Sequence, residues 1–218
     1  MGLNAIILGS SGLVGGHLLD LLLQSKKYSH VKVFVRRPLD KKHQKLEQIV
    51  TDFSDMKKLE KLMTADVLFS CLGSTKKKTP DKKDYIFVDK TIPETFIEMA
   101  AVKGLQQLHL VSAIGADSNS TIFYNQLKGE LEDIVKQKQI PSIHIYQPSL
   151  IMGNRNEFRL GERIASALFK LLNPLMAGSL KKYRSIAAST IAQAMYQVSL
   201  NNRNGIYTYT TEKIKELA

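Results

Sequence analysis

The stretch Asn4-Ala5-Ile6-Ile7-Leu8-Gly9-Ser10-Ser11-Gly12-Leu13-Val14-Gly15, running on into the leucine-crowded segment His17 to Gln24, decides the fold. Asn4 to Leu8 is a short, largely apolar run; three glycines then follow in a G-x-x-G-x-x-G spacing, and the leucines behind them recur at helical intervals. The pattern reads strand, tight turn, helix. In that setting one glycine makes the turn, one lets the backbone approach a pyrophosphate, and one lets the helix pack on the sheet. The free N–H groups at the helix start bind the phosphates. A glycine triplet alone carries little weight in a chain with 13 Gly. Its place between an N-terminal strand and a leucine-rich helix is what makes Gly9, Ser10, Ser11, Gly12, Leu13, Val14 and Gly15 a candidate dinucleotide cradle.

Outward from this unit the same alternation continues. Val31 to Val35, Gln48 to Val50, Val67 to Cys71, Gln107 to Ser112 and Ser142 to Tyr146 read as strands. Met56 to Met63, Ile92 to Lys103 and Asn125 to Gln137 read as helices between them. Alternating strands and helices predict an α/β fold, a doubly wound parallel sheet covered on both faces. No composition break divides the 218 residues, so one domain over 1–218 is expected, with about 153–218 contributing a small substrate-side extension. Two irregular stretches, Ser74 to Lys83 and Gly153 to Leu180, are candidate substrate walls, because loops at the carboxyl ends of the strands form the ligand crevice in such sheets. The second holds an amphipathic helix candidate from Gly161 to Leu172, whose apolar part from Ile164 suits a pocket wall, a dimer interface or a regulatory protein partner.

The second strand ends where an adenosine ribose would lie. No carboxylate occurs from Val31 to Arg37; instead Arg36 and Arg37 follow Val35 at once, about 20 residues past the last glycine, where an arginine suits a 2′-phosphate. One charge-assisted hydrogen bond is worth roughly 1.5 to 3 kcal/mol, enough to favour NADP(H) over NAD(H) by about tenfold or more. Asp52 and Phe53 follow the third strand, where a carboxylate and a ring edge can flank the adenine or where the chain forms a plain loop. Cys71-Leu72-Gly73 closes the fourth strand, and Gly73 lets the backbone run close to a cofactor. Cys71 reads as a small buried hydrophobe rather than a nucleophile.

Tyr124 and Lys128 lie four apart on a predicted helix and so share one face. Tyr28/Lys32 and Tyr209/Lys213 have the same spacing, but Tyr28 precedes the second strand and Tyr209 falls in the C-terminal tail, whereas Tyr124 opens the helix after the fifth strand. That strand also delivers Ser112 to its carboxyl end. Bringing a tyrosine from about 10 toward neutrality takes roughly 4 kcal/mol. A lysine ammonium at about 4 Å in an effective dielectric near 20 supplies that order. Tyr124 is thus a candidate acid/base, Lys128 its electrostatic partner, and Ser112 either a hydrogen-bonding partner of a carbonyl or alcohol or a hydroxyl capping a strand end. The five histidines show no metal-ligand spacing, and His109 and His144 fall inside strands as core residues; no metal site is expected.

Bulk properties narrow the setting. Cys71 is the single cysteine, which excludes an internal disulfide and, with no signal-peptide pattern at the start, points to a reducing, cytoplasmic location. No apolar run reaches the length of a membrane span. The net charge of +11 sits on scattered loop lysines without interleaved aromatics, a pattern that suits a polyanionic dinucleotide and not a nucleic-acid surface.

The order of glycine turn, arginines, Cys71-Leu72-Gly73, Ser112, Tyr124/Lys128 and Pro148 resembles the short-chain dehydrogenase/reductases in their atypical, epimerase-like branch. Leu72 to Thr75, Val88-Asp89, Val111 to Asp117 and Tyr124 to Glu130 resemble, more narrowly, the Tat-interacting oxidoreductase family, from Asn4 to at least Gly153. The resemblance implies a Rossmann fold, NADPH binding, a Ser112/Tyr124/Lys128 triad with Tyr124 and Lys128 also touching the cofactor, and a nicotinamide pocket shaped by Pro148. Gln147 stands where related sequences often have Arg, and Ala113 where many have a second Ser. The expected activity is NADP(H)-dependent hydride transfer to or from a small or medium carbonyl or alcohol. A non-catalytic NADP(H)-sensing protein is the alternative; a nucleotide-sugar epimerase or dehydratase needs a larger second lobe than the roughly 65 residues after Gly153 provide.

Overall fold

A computed structural model of the chain describes residues 2–75, 79–153, 184–201 and 203–218. The candidate walls at 154–180 and 76–78, with the helix expected at 161–172, lie outside the described residues. The main sheet has seven strands in the order β3-β2-β1-β4-β5-β6-β9. These are β1 (Leu3–Leu8), β2 (Tyr28–Val35), β3 (Leu46–Val50), β4 (Val67–Ser70), β5 (Gln107–Val111), β6 (Ser142–Gln147) and β9 (Gly205–Thr210). Every pairing among them is parallel. Two short strands, β7 (Ile151–Met152) and β8 (Ile186–Ala187), pair apart from it. Strand order reverses between β1 and β4, and the crevice outside the carboxyl ends of these two strands is where a doubly wound sheet takes its ligand.

The helices described are α1 (Leu13–Gln24), α2 (Met56–Leu59), α3 (Lys82–Ile86), α4 (Ile92–Val102), α5 (Phe123–Lys136), α6 (Ala188–Ser199) and α7 (Thr211–Glu216). Successive β1 residues feed opposite faces, as the strand period of two requires. Ala5 and Ile7 join one core cluster with Leu18, Leu22, Ile191 and Met195 of α1 and α6. Ile6 and Leu8 join the other with Phe96, Leu131 and Val135 of α4 and α5. The last described segments therefore build the body of the domain: α6 packs beside α1, and β9 adds a seventh strand against β6. Tyr209, expected in a tail, lies in β9, and Tyr28 opens β2 fully buried, its hydroxyl donating to Ser199 Oγ at 2.7 Å.

On the α1/α6 side an aromatic row crosses the sheet from Phe69 through His109 and His144 to Tyr207, with ring centroids 4.8, 4.7 and 5.3 Å apart. His109 Nδ1 meets the Tyr146 hydroxyl at 3.0 Å, and His144 Nδ1 meets that of Tyr209 at 2.9 Å. Burial, with the neighbouring His144, holds His109 well below the ordinary histidine range; burial and the nearby Arg203 cation bring His144 down to about 4. Both rings are neutral members of the core.

Candidate functional site

The glycine turn sits at the switch point because its atoms leave no alternative. Gly9 has φ +80°, and a Cβ there would lie 2.6 Å from the Cys71 carbonyl oxygen, so the turn presses directly on the end of β4. A Cβ on Gly15 would lie 2.3 Å from the Gly9 oxygen, which is what closes the first turn of α1 onto the strand. Gly12 stands at the N-cap of α1 without a side-chain cap, and no acidic residue occupies the first turn. The positive end of the helix dipole and its unpaired N–H groups therefore face the crevice, an arrangement that attracts phosphate.

A cleft of about 810 Å³ opens there. Its lining brings together Ser11, Gly12, Leu13 and Val14 from the turn, Cys71, Leu72 and Gly73 from the end of β4, and Ser112, Tyr124 and Lys128. A Cβ built on Gly73 meets nothing nearer than Asp89 Oδ1 at 3.8 Å and Lys128 Nζ at 3.9 Å, so the bare backbone leaves room beside the lysine. Burial pushes the Cys71 thiol up to about 12, which keeps it protonated and unreactive.

Tyr124 lies in the first turn of α5, and at 38% exposed it opens to the cleft. Lys128, one turn on, is buried: its ammonium lies 3.0 Å from Asp89 Oδ1 and 3.4 Å from the Leu72 carbonyl. Asp89 comes from a π-helical turn, Phe87–Thr91, between α3 and α4 and accepts the Ser74 backbone N–H at 2.7 Å on its other oxygen. Such wide turns recur at functional sites because they aim one side chain inward. The ammonium donates to the Leu72 carbonyl and is ion-paired with Asp89 Oδ1, which accepts no aligned hydrogen bond, so donors remain for the cleft.

Ser112 follows β5, its N–H donating to the Tyr146 carbonyl at 2.8 Å and so extending the ladder by one residue. Its hydroxyl donates to Glu132 Oε1 at 2.5 Å. The Gln147 amide donates to the two oxygens of that buried carboxylate at 2.9 and 3.0 Å, and Lys136 Nζ stands 3.5 Å from Oε2. Gln147 thus takes up the carboxylate through an amide.

Other expected residues lie elsewhere. Gly9, Ser10 and Gly15 support the turn from beneath, Ser10 being buried. Arg36 and Arg37 stand exposed just past β2, outside the described lining of the cleft, which holds His17, Asp20 and Lys41 on that flank, the last two ion-paired. Asp52 is exposed, its carboxylate held low by the backbone N–H and hydroxyl of Ser54. Phe53 does not present a ring edge to a base: with φ +65° its ring turns into the core, 5% exposed, and packs on Phe96 at 5.8 Å. Pro148 is buried behind Ser112, its carbonyl accepting the Ile114 N–H at 2.9 Å. Asp89 and Glu132 were not among the expected site residues. Glu132 was findable, since Tyr124, Lys128, Glu132 and Lys136 recur in steps of four along α5. Among the described residues no cluster of His, Cys, Asp and Glu could hold a metal ion, and no helix is long and apolar enough to cross a membrane.

Comparison with known proteins accords with this geometry. A family model described as NAD(P)H-binding matches residues 9–152. Protein HTATIP2 of Rattus norvegicus is 30% identical over 203 residues, covering 91% of this chain and 80% of its own length. A protein named fmp52, mitochondrial, of Aspergillus niger is 28% identical over 218 residues, covering 97% of this chain and 93% of its own. Among solved structures, the Bordetella bronchiseptica enzyme WbmH in complex with NAD+ superimposes with a TM-score of 0.71 at 15% identity, over 99% of this chain and 79% of that one. The chain belongs to the NAD(P)H-binding family and shares it with Protein HTATIP2.

Proposed function

We propose that this protein is an NADP(H)-dependent oxidoreductase that moves a hydride to or from a small or medium carbonyl or alcohol, with Tyr124 as the acid/base. The observation that carries the proposal is the convergence of Tyr124, Lys128 and Ser112 on one cleft whose other wall is the glycine turn. The residues present fit a dinucleotide: the first turn of α1 has no acidic residue, and the backbone at Gly73 is open. A bound nicotinamide cofactor supplies or accepts the hydride. Ser11, Gly12 and the N–H groups behind them hold its phosphates, and Gly73 lets it lie against the end of β4. Lys128, ion-paired with Asp89 and donating to the Leu72 carbonyl, would offer its remaining donors to the ribose hydroxyls. Tyr124 as the phenol would give its proton to a carbonyl oxygen, and as the phenolate would take one from an alcohol.

The preference for the 2′-phosphate is assigned to Arg36 and Arg37, exposed just past β2. Calorimetric titration with NADPH and with NADH tests it. NADPH should bind at least tenfold tighter, and the double substitution Arg36→Ala/Arg37→Ala should abolish the difference. Equal affinities in the unaltered protein would sink the arginine assignment. A screen of aldehydes, ketones and alcohols against the wild type and Tyr124→Phe tests the chemistry. Loss of 10²- to 10⁴-fold in turnover with unchanged NADPH affinity is expected. Binding without turnover would instead support a cofactor-sensing protein. A cytoplasmic location is retained as a proposal, which recovery of the protein with mitochondria on fractionation would overturn.

A further inference from the structure

We propose that Glu132 is a positioning residue that makes the site selective for the alcohol form of its substrate. The inference rests on the oxidoreductase reading above and adds to it which side of the reaction the protein is built to hold. The Ser112 hydroxyl proton is committed to Glu132 Oε1 at 2.5 Å, and both groups are buried, at 4% and 2% exposure. The carboxylate is held against rotation by the Gln147 amide, which donates to both of its oxygens, and by Lys136 at 3.5 Å from Oε2. A hydroxyl has one proton and two lone pairs. With the proton turned inward, Ser112 meets the cleft only as an acceptor, and the Tyr124 phenol shares the same lining as a donor.

An alcohol complements this pair. Its oxygen accepts from Tyr124 and its own O–H donates to Ser112 Oγ. A ketone or aldehyde accepts from Tyr124 alone and sets a lone pair against the lone pairs of Ser112, leaving one hydrogen bond unmade. Net hydrogen bonds of this kind change affinity by about three- to tenfold. The choice of Glu at 132 is therefore the choice of which way the Ser112 proton points. An amide there would set its oxygen at the Oε2 position, where the Lys136 ammonium stands 3.5 Å away, and its NH2 at the Oε1 position facing Ser112, releasing the serine proton into the cleft.

The test uses matched pairs that differ only in oxidation state, from 2-propanol and acetone up to 2-octanol and 2-octanone. Each is titrated calorimetrically into protein saturated with a tetrahydronicotinamide analogue of NADPH, which cannot give up a hydride, so that binding is read without turnover. At least one alcohol should bind three- to tenfold tighter than its ketone. Glu132→Gln should remove or reverse that preference, and Ser112→Ala should remove it, while the variants still unfold cooperatively and keep NADPH affinity within twofold of wild type. Glu132→Asp, which keeps the carboxylate, should retain part of the preference. A series in which no alcohol outbinds its ketone, or a preference that survives Glu132→Gln, overturns the proposal while leaving the oxidoreductase reading in place. A wild-type protein that binds no NADPH overturns both. If Glu132→Gln does not fold, loss of the preference in Ser112→Ala together with its retention in Glu132→Asp still supports the assignment, and its persistence in Ser112→Ala still overturns it.

Discussion

At the scale of single residues, the feature with the largest energetic stake is the Lys128–Asp89 pair, 3.0 Å apart with side chains only 4% and 0% exposed. Taking two charges out of water costs several kcal/mol, and their mutual attraction offsets that cost only while both are present. Asp89→Asn leaves the ammonium buried without its counter-charge and should destabilise the protein by about 3–5 kcal/mol. The double variant Asp89→Asn/Lys128→Met removes the stranded charge and should recover a large part of the loss. Urea unfolding of the two variants reads both numbers, and a double variant no more stable than Asp89→Asn would show that the pair is not coupled. This is also the scale at which the sequence was least informative. Tyr124 and Lys128 were legible because four residues are one helical turn, and Glu132 continues that period. Asp89 could not be found in this way, since its partner lies on another helix and only the fold brings them together.

At the scale of elements, β1 and the end of α1 were legible to within a residue, while α1 starts at Leu13, four residues before the leucine-crowded stretch that revealed it. Their chemistry is local: an apolar run, a turn that admits only glycine, and leucines on one face. Gly15→Ala would place a methyl carbon 2.3 Å from the backbone oxygen of Gly9, which cannot move without carrying the turn away from β4. The expected cost is about 1–3 kcal/mol in stability, with weakened NADPH binding. Gly16→Ala next to it meets nothing nearer than 3.5 Å, and in a helix the exchange should be neutral or stabilising by about 0.5–1 kcal/mol. Denaturant midpoints of the two variants make the comparison, and equal effects would refute the steric account. The C-terminal elements were harder to read. α6 is rich in Ala and Ser and carries few large apolar side chains, although Ile191, Ala192 and Met195 are fully buried. β9 alternates tyrosine and threonine and stays partly exposed at the sheet edge, so its strand pattern lacks a strong hydrophobic contrast. Its membership in the sheet is set by pairing with β6, a contact that no local pattern announces.

At the scale of the whole molecule, the neutral histidines of the aromatic row tie stability to pH. His144 is held at about 4 against an ordinary 6.5, and His109 is shifted in the same direction. Above about 6.5 the folded and unfolded chains both carry these rings neutral. Below it the unfolded chain takes up protons that the folded chain refuses, so stability falls as pH drops from about 6.5 toward 4. His144 alone contributes a loss of about 3 kcal/mol across that window. Unfolding free energies measured from pH 7 to 4 should show the decline, and His144→Phe should flatten it in part; a flat profile in the wild type would contradict the buried, neutral assignment. The parallel order of the sheet carries a further consequence, for biogenesis. The glycine turn and α1 leave the ribosome well before the helix that covers α1 and the strand that closes the β6 edge. A nascent or truncated chain lacking 188–216 leaves part of the leucine face of α1 uncovered, so its dependence on chaperones should persist until those segments have emerged.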